Sequence, residues 1–226
     1  EENAAKLKAR FPVETEDRTI GGIGVRIVRT KEAARRDPSR LLICLHGGTF
    51  MWGERIQAEV ESIAIASTSG IDVVGVDYRE APEHPFPAAV DDAIAVYREL
   101  LKTHAPGSIG IYGGSAGAVI TGEVVAALIE RKLPVPGAIG LFNGGIAELA
   151  GDSIYWANPL TGHPPIQQQV VQSLKDIPYF FPADMHSFLV LPANDPERLK
   201  NFPPALLLSG SRDFTLSSVL YSERLL

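Results

Sequence analysis

The sequence predicts an α/β protein, a mostly parallel sheet flanked by helices with a helical lid. Three observations carry this. Short apolar runs alternate with helical stretches of roughly 12 to 17 residues, the pattern of βαβ units. A G-x-S-x-G pattern stands between one such strand and the helix after it. Late in the chain a proline-rich stretch interrupts the alternation. At 226 residues the chain suits one large domain. With 45% hydrophobic and 21% charged residues, it is not a disordered chain.

Each element has a local reason. Glu2 to Arg10 reads as a short helix stopped near Pro12. Ile20 to Thr30 alternates apolar and polar residues around glycines, as a strand or hairpin does. Arg40 to Leu45 is a strand of the buried type. Arg55 to Ser67 puts Ile56, Val60, Ile63 and Ala64 at helical spacing, with Gly70 as a C-terminal cap. Ile71 to Val76 is a strand. Pro87 to Thr103 is a helix with Val90, Ile94, Tyr97 and Leu101 on one face, and Pro87 suits its first turn. Ser108 to Tyr112 is a strand, Ala116 to Arg131 a helix and Gly137 to Phe142 a strand. Ala205 to Leu208 is a strand and Thr215 to Leu225 a helix. Residues 143–203 carry prolines from Pro159 to Pro203, and a structureless loop of that length inside a compact domain is improbable. The expectation is one domain over 1–226, with a helical lid built from 1–18 and 144–203 and packed against the N-terminal helix.

Charge and composition exclude several classes. The net charge is −6 and no basic block stands out, which argues against nucleic acid as a partner. No apolar run reaches the roughly 20 residues of a membrane span. The single cysteine, Cys44, forbids an intrachain disulfide and sits in an apolar run, so it reads as a buried small hydrophobe. The five histidines form no ligand pair, so no metal site is expected. The first residues are acidic with no apolar stretch behind them, so a cytoplasmic location is expected.

Gly113-Gly114-Ser115-Ala116-Gly117 matches G-x-S-x-G in the strand–turn–helix context that a nucleophile elbow requires. The turn is tight, and its strain lifts the Ser115 hydroxyl clear of the sheet over a helix N-terminus. The alternatives are a plain glycine turn or a phosphate loop, and the absence of a following Lys disfavours the latter. His46-Gly47-Gly48-Thr49-Phe50 leaves the Arg40–Leu45 strand as a turn of small residues. Such a turn lets backbone N–H groups, with Gly47, Gly48 and Thr49 as candidates, point at a developing oxyanion; a generic glycine turn is the alternative. Ala116 N–H, next after the serine, is the other candidate donor. Asp213 lies in Ser209-Gly210-Ser211-Arg212-Asp213, after the Ala205–Leu208 strand. There an acid can orient a catalytic histidine, or simply cap the following helix.

These motifs resemble the hormone-sensitive lipase family of α/β-hydrolases. The resemblance rests on His46-Gly47-Gly48, on Asp77-Tyr78-Arg79 with Ala81-Pro82-Glu83-His84-Pro85-Phe86-Pro87-Ala88-Ala89, and on Gly113-Gly114-Ser115-Ala116-Gly117, which occur in family order. Bacterial esterases and lactone hydrolases of the monoterpene ε-lactone type are most similar. The resemblance implies a serine carboxylesterase acting on small esters or lactones through an acyl-enzyme, without a cofactor. It implies an oxyanion hole from the N–H groups of Gly48, Thr49 and Ala116, with Ser115 as nucleophile and Asp213 as triad acid. Thr49 stands where the family usually has a third glycine, and its side chain narrows the acyl pocket. The Asp77–Ala89 stretch is structural in the family, with Asp77 expected to pair with Arg79 and His84 expected to be structural.

No histidine follows Asp213. The resemblance implies a last strand, a last helix and a catalytic histidine beyond Leu226, so a truncated and weak or inactive chain with an exposed apolar sheet edge is expected. That edge invites a homodimer. His186 is the only other histidine considered as a substitute base. The different-class alternative is a non-catalytic small-molecule binding module on the same fold.

Overall fold

The computed structural model describes residues 2–160 and 173–226. Seven strands form one sheet, in the order β1-β2-β4-β3-β5-β6-β7. They are β1 (Val13–Ile20), β2 (Ile23–Thr30), β3 (Leu41–Leu45), β4 (Asp72–Val76), β5 (Ile109–Gly114), β6 (Ala138–Phe142) and β7 (Ala205–Leu208). β1 pairs antiparallel with β2, and β2 antiparallel with β4; every other pairing is parallel. The helices are α1 (Glu2–Arg10), α2 (Glu54–Ser69), α3 (Ala88–Leu100), α4 (Ala116–Glu130), α5 (Ser153–Leu160), α6 (Pro196–Leu199) and α7 (Leu216–Leu225).

Strand alternation sorts the core into two layers. Ile43, Leu45, Val74, Ile109, Ile111 and Leu141 face the side covered by α3 and α4. Cys44, Val73 and Tyr112, one residue out of phase, face the side covered by α1 and α2. α4 is buried along Ala116–Leu128, which is why its sequence is apolar all round rather than striped. α2 presses onto β4 so closely that a Cβ on Gly75 would lie 2.7 Å from the Ala58 Cβ. It ends at Gly70 with φ +75°, as its sequence predicts.

Three expectations need correction. The hairpin starts earlier than Ile20: β1 is a polar edge strand, Val-Glu-Thr-Glu-Asp-Arg-Thr-Ile, held to β2 by Arg29–Glu16 and Arg26–Asp17 ion pairs and turned at Gly21-Gly22. Its charges mask the strand signal. Residues 13–18 therefore belong to the sheet and not to a lid. α1 packs against α2, with Ala4 in the core of Ile63 and Ala66, whereas Leu174, Tyr179 and Phe180 of the 144–203 segment lie in the core on the opposite face. The N-terminal helix and the described part of that segment are thus on different sides of the sheet. The segment itself is α5, α6 and three short 3-10 turns; the part of the expected lid at 161–172 lies outside the described residues.

The Asp77–Arg79 pairing is the third correction. Asp77 instead accepts from Arg55 Nε at 2.6 Å, and Arg79 grips Asp92 of α3 through its backbone N–H and its guanidinium. Asp92 is 4% exposed and Arg79 49%, so the guanidinium reaches in from solvent to neutralise a buried carboxylate. At the far end of the sheet, β7 pairs with β6 alone among the described strands, and Leu206 and Leu208 are exposed.

Candidate active site

Ser115 stands exposed where β5 gives way to α4. Its backbone is at φ 52°, ψ −118°, a sparsely populated conformation that costs a side-chain-bearing residue about 1–3 kcal/mol. Packing holds it there. A Cβ on Gly113 would lie 2.3 Å from Gly117 backbone atoms, and one on Gly117 would lie 1.8 Å from the Leu45 carbonyl oxygen. The Ser115 N–H donates to the Phe142 carbonyl at 2.8 Å. The hydroxyl is therefore presented by a rigid turn at the positive end of a 15-residue helix.

The turn after β3 is also strained. Gly48, Thr49 and Phe50 have φ of 128°, 53° and 66°. The Gly48 carbonyl accepts from Met51 and Trp52, and the Phe50 carbonyl from Ala81. Phe50 is buried, stacked on Tyr179 at 4.4 Å. Tyr179 in turn donates to Glu123 at 2.7 Å. His46 is fully buried and stacked on Tyr78 at 4.3 Å. Burial lowers its pKa, which keeps the ring neutral, and its Nδ1 lies 2.8 Å from the Gly47 carbonyl. His46 is thus a structural member of the turn.

The four backbone candidates divide. Gly47 N–H donates to Glu61 Oε1 at 3.0 Å, so it is already spent and drops out as an oxyanion donor. The N–H groups of Gly48, Thr49 and Ala116 have no protein acceptor among the described residues. Thr49 and Ala116 line, together with Ser115, a cavity of about 220 Å³. Its other walls are largely apolar: Phe50, Val119, Ala147, Leu149, Leu174, Ile177 and Phe214.

Asp213 sits beside this cavity rather than in its wall; its neighbours Phe214 and Thr215 line it. Its Oδ1 accepts from Thr215 N–H at 2.7 Å and Thr215 Oγ1 at 2.6 Å, an Asx turn at the entry to α7. Its Oδ2 is held by the side-chain amide of Asn143. Asn143 lines the cavity at φ 53°, a conformation Asn tolerates better than most residues. Gly144 follows because a Cβ there would lie 2.6 Å from the Ser115 carbonyl oxygen. The Asn143-Gly144-Gly145 turn thus connects the serine to the acid. Sequence reasoning missed it and Glu61. The Asn-Gly-Gly run directly after a strand was the available signal for the turn; a lone glutamate on a helix offers none.

The histidines do not converge on Ser115. His84 and His186 are exposed, His104 is half-buried beside Thr103, and none of the described histidines lines the cavity. His163 lies outside the described residues. No described helix is long and apolar enough to cross a membrane.

A strained serine at a strand–helix elbow, backed by a bent glycine turn on a mostly parallel sheet, defines a hydrolase-type site. Residues 42–226 match the alpha/beta hydrolase fold family, and the chain belongs to it. Among solved structures it resembles an esterase of the bacterial hormone-sensitive lipase family, with a TM-score of 0.81 and 26% identity over 97% of this chain and 73% of that one. It also resembles the hormone-sensitive lipase homologue EstE7 from a metagenome library, with a TM-score of 0.80 and 28% identity over 99% of this chain and 76% of that one. Of curated relatives, it is 41% identical to an acetyl-hydrolase of Streptomyces hygroscopicus over 46% of this chain and 35% of that protein. It is 33% identical to carboxylesterase NlhH of Mycobacterium tuberculosis over 54% and 40% respectively. The chain therefore matches well under two thirds of the length of these curated relatives.

Proposed function

We propose that this chain carries the nucleophile and oxyanion side of a serine carboxylesterase for short-chain carboxylic esters, small lactones included. The observation that carries the reading is that exposed Ser115 shares one apolar cavity of about 220 Å³ with Thr49 and Ala116, whose N–H groups are free of protein acceptors. In this reading Ser115 Oγ attacks the ester carbonyl. The carbonyl oxygen gains negative charge and is held by the N–H groups of Gly48, Thr49 and Ala116, aided by the N-terminus of α4. Collapse of this intermediate expels the alcohol and leaves an acyl-serine, which water cleaves. The base that takes the Ser115 proton is a histidine outside the described set, oriented by Asp213. Asp213 Oδ2 already accepts from Asn143, but a carboxylate oxygen has a second lone pair for an imidazole N–H. The names of the acetyl-hydrolase and carboxylesterase relatives, and the small apolar cavity, support acyl groups of a few carbons.

The test compares residues 1–226 with a version extended along the reading frame, on p-nitrophenyl acetate and butyrate. The extended protein is expected to turn over both, and Ser115→Ala to lower kcat by about 10⁴-fold or more. Equal turnover by residues 1–226 would place the base within them. No Ser115-dependent turnover by either protein would remove the esterase reading.

A further inference from the structure

One carboxylate lies behind both halves of the site. Glu61, two turns into α2, accepts the N–H of Gly47 at 3.0 Å and the side-chain amide of Gln57 at 2.8 Å. Its other oxygen, Oε2, lies against the backbone of Gly114. Gly47 immediately precedes Gly48 and Thr49, and Gly114 immediately precedes Ser115. The fit is close: a Cβ on Gly114 would sit 3.3 Å from Glu61 Oε2, and one on Gly47 would sit 3.4 Å from Oε1 and 3.4 Å from the Ser115 Cβ. Glycine at both positions is what lets the carboxylate reach the two backbones.

We propose that Glu61 is a positioning residue, whose carboxylate ties the Gly47–Thr49 turn to the Ser115 elbow and so sets the spacing between the oxyanion donors and the nucleophile. The role rests on the esterase reading above. The physical need is clear. Three successive residues of that turn have positive φ, so the turn does not hold its own shape by local preference. α2 is clamped to β4 at Gly75 and Ala58, so its side chains start from a rigid base. An ionised carboxylate is acceptor-only and can serve several N–H donors at once. Two donors, one from the turn and one from α2 itself, converge on it here, and its second oxygen rests against the end of β5. By claiming the Gly47 N–H, Glu61 also fixes the His46–Gly47 peptide plane, one unit before the Gly48 N–H. Donor placement matters because a misplacement of about 1 Å at a reacting centre can cost about 10²-fold in rate.

The test uses the full-length protein with Glu61→Ala and Glu61→Gln, and two readouts. The first is hydrogen exchange of the Gly47 and Gly114 amides, which reads the tie whether or not the protein hydrolyses anything. Glu61→Ala is expected to speed the Gly47 amide by about tenfold or more, with Gly114 reading any loosening of the elbow. The second is steady-state kinetics on p-nitrophenyl butyrate. Glu61→Ala is expected to lower kcat about 10²-fold with KM within about twofold, and Glu61→Gln, which keeps one acceptor oxygen and the shape, to recover part of the loss. Unchanged exchange at Gly47 would overturn the proposal, and so would lost protection with unchanged kcat. If Glu61→Ala does not fold, Glu61→Leu, which keeps the bulk but no acceptor, carries both readouts under the same criteria. Failure of the wild type to hydrolyse esters would sink the esterase reading alone, and the exchange result would still decide the tie.

Discussion

The two ends of the β3–β5–β6–β7 half of the sheet are built to different tolerances. At β3 and β5, backbone meets backbone: Gly113, Gly117 and the Leu45 carbonyl leave no room for a single methyl group. At β7, the alternate residues Leu206 and Leu208 are 64% and 58% exposed. They continue the face of Gly140 and Phe142, on the side of the sheet covered elsewhere by α1 and α2. Their neighbour Leu207 is packed against the core on the other face. Ser115 is thus held by contacts no substitution can avoid, while Asp213 follows a strand with one bare face. Placing a strained serine requires redundant packing, whereas Asp213 is fixed by three hydrogen bonds within its own turn and from Asn143.

The largest effect that tests this contrast belongs to the elbow. Gly117→Ala puts a methyl group 1.8 Å from the Leu45 carbonyl oxygen, and no flexible side chain can yield. A loss of about 3 kcal/mol or more in unfolding free energy is expected. Chemical denaturation measures it, and a loss under 1 kcal/mol would mean that the elbow has slack and that the contrast with β7 is false.

This rigidity is also what made the elbow legible. Gly-x-Ser-x-Gly and His-Gly-Gly are local consequences of steric crowding, so they survive as patterns in the sequence. The parallel strands β3 to β6 showed for a similar reason: burial on both faces makes them continuous apolar runs. What stayed hidden depends on partners distant in sequence. β1 carries charges that are satisfied only by Arg26 and Arg29 across the hairpin. Asp77 and Arg79 stand two residues apart yet pair with Arg55 and Asp92. Gly47 looked like a donor because it is a glycine in the right turn; its N–H is claimed by Glu61, fourteen residues on. Spacing along the chain identifies which residues meet in one turn, but not which of their N–H groups a helix on the other side of the sheet has taken.

A smaller effect sharpens the contrast from inside α4. Glu123 is fully buried behind the elbow; its Oε2 accepts from Tyr179, and its Oε1 has no partner among the described residues. Burial pushes its carboxyl well above the ordinary carboxylate range. A folded-state pKa above the unfolded one means that the neutral form is favoured by folding. Its stabilising contribution is present below the unfolded value near 4.5 and is lost as pH rises through the folded value. Wild-type stability is therefore expected to fall relative to Glu123→Gln as pH rises from 5 to 8. The variant keeps an acceptor for Tyr179 and carries no charge at any pH. Denaturant midpoints at the two pH values decide it, and parallel curves for both proteins would show that Glu123 titrates alike in the folded and unfolded chain, so that water reaches it.

The smallest effect lies at β7. Leu206→Asn in residues 1–226 removes an apolar side chain that already faces solvent, so a change within about 0.5 kcal/mol is expected. The same substitution costs about 2 kcal/mol wherever another segment or a second copy buries that side chain. Unfolding measured at two protein concentrations separates these cases. A small, concentration-independent cost confirms a bare face. A large cost that grows with protein concentration would mean that β7 is covered by another copy, and Asp213 would then sit at an interface rather than at a free edge.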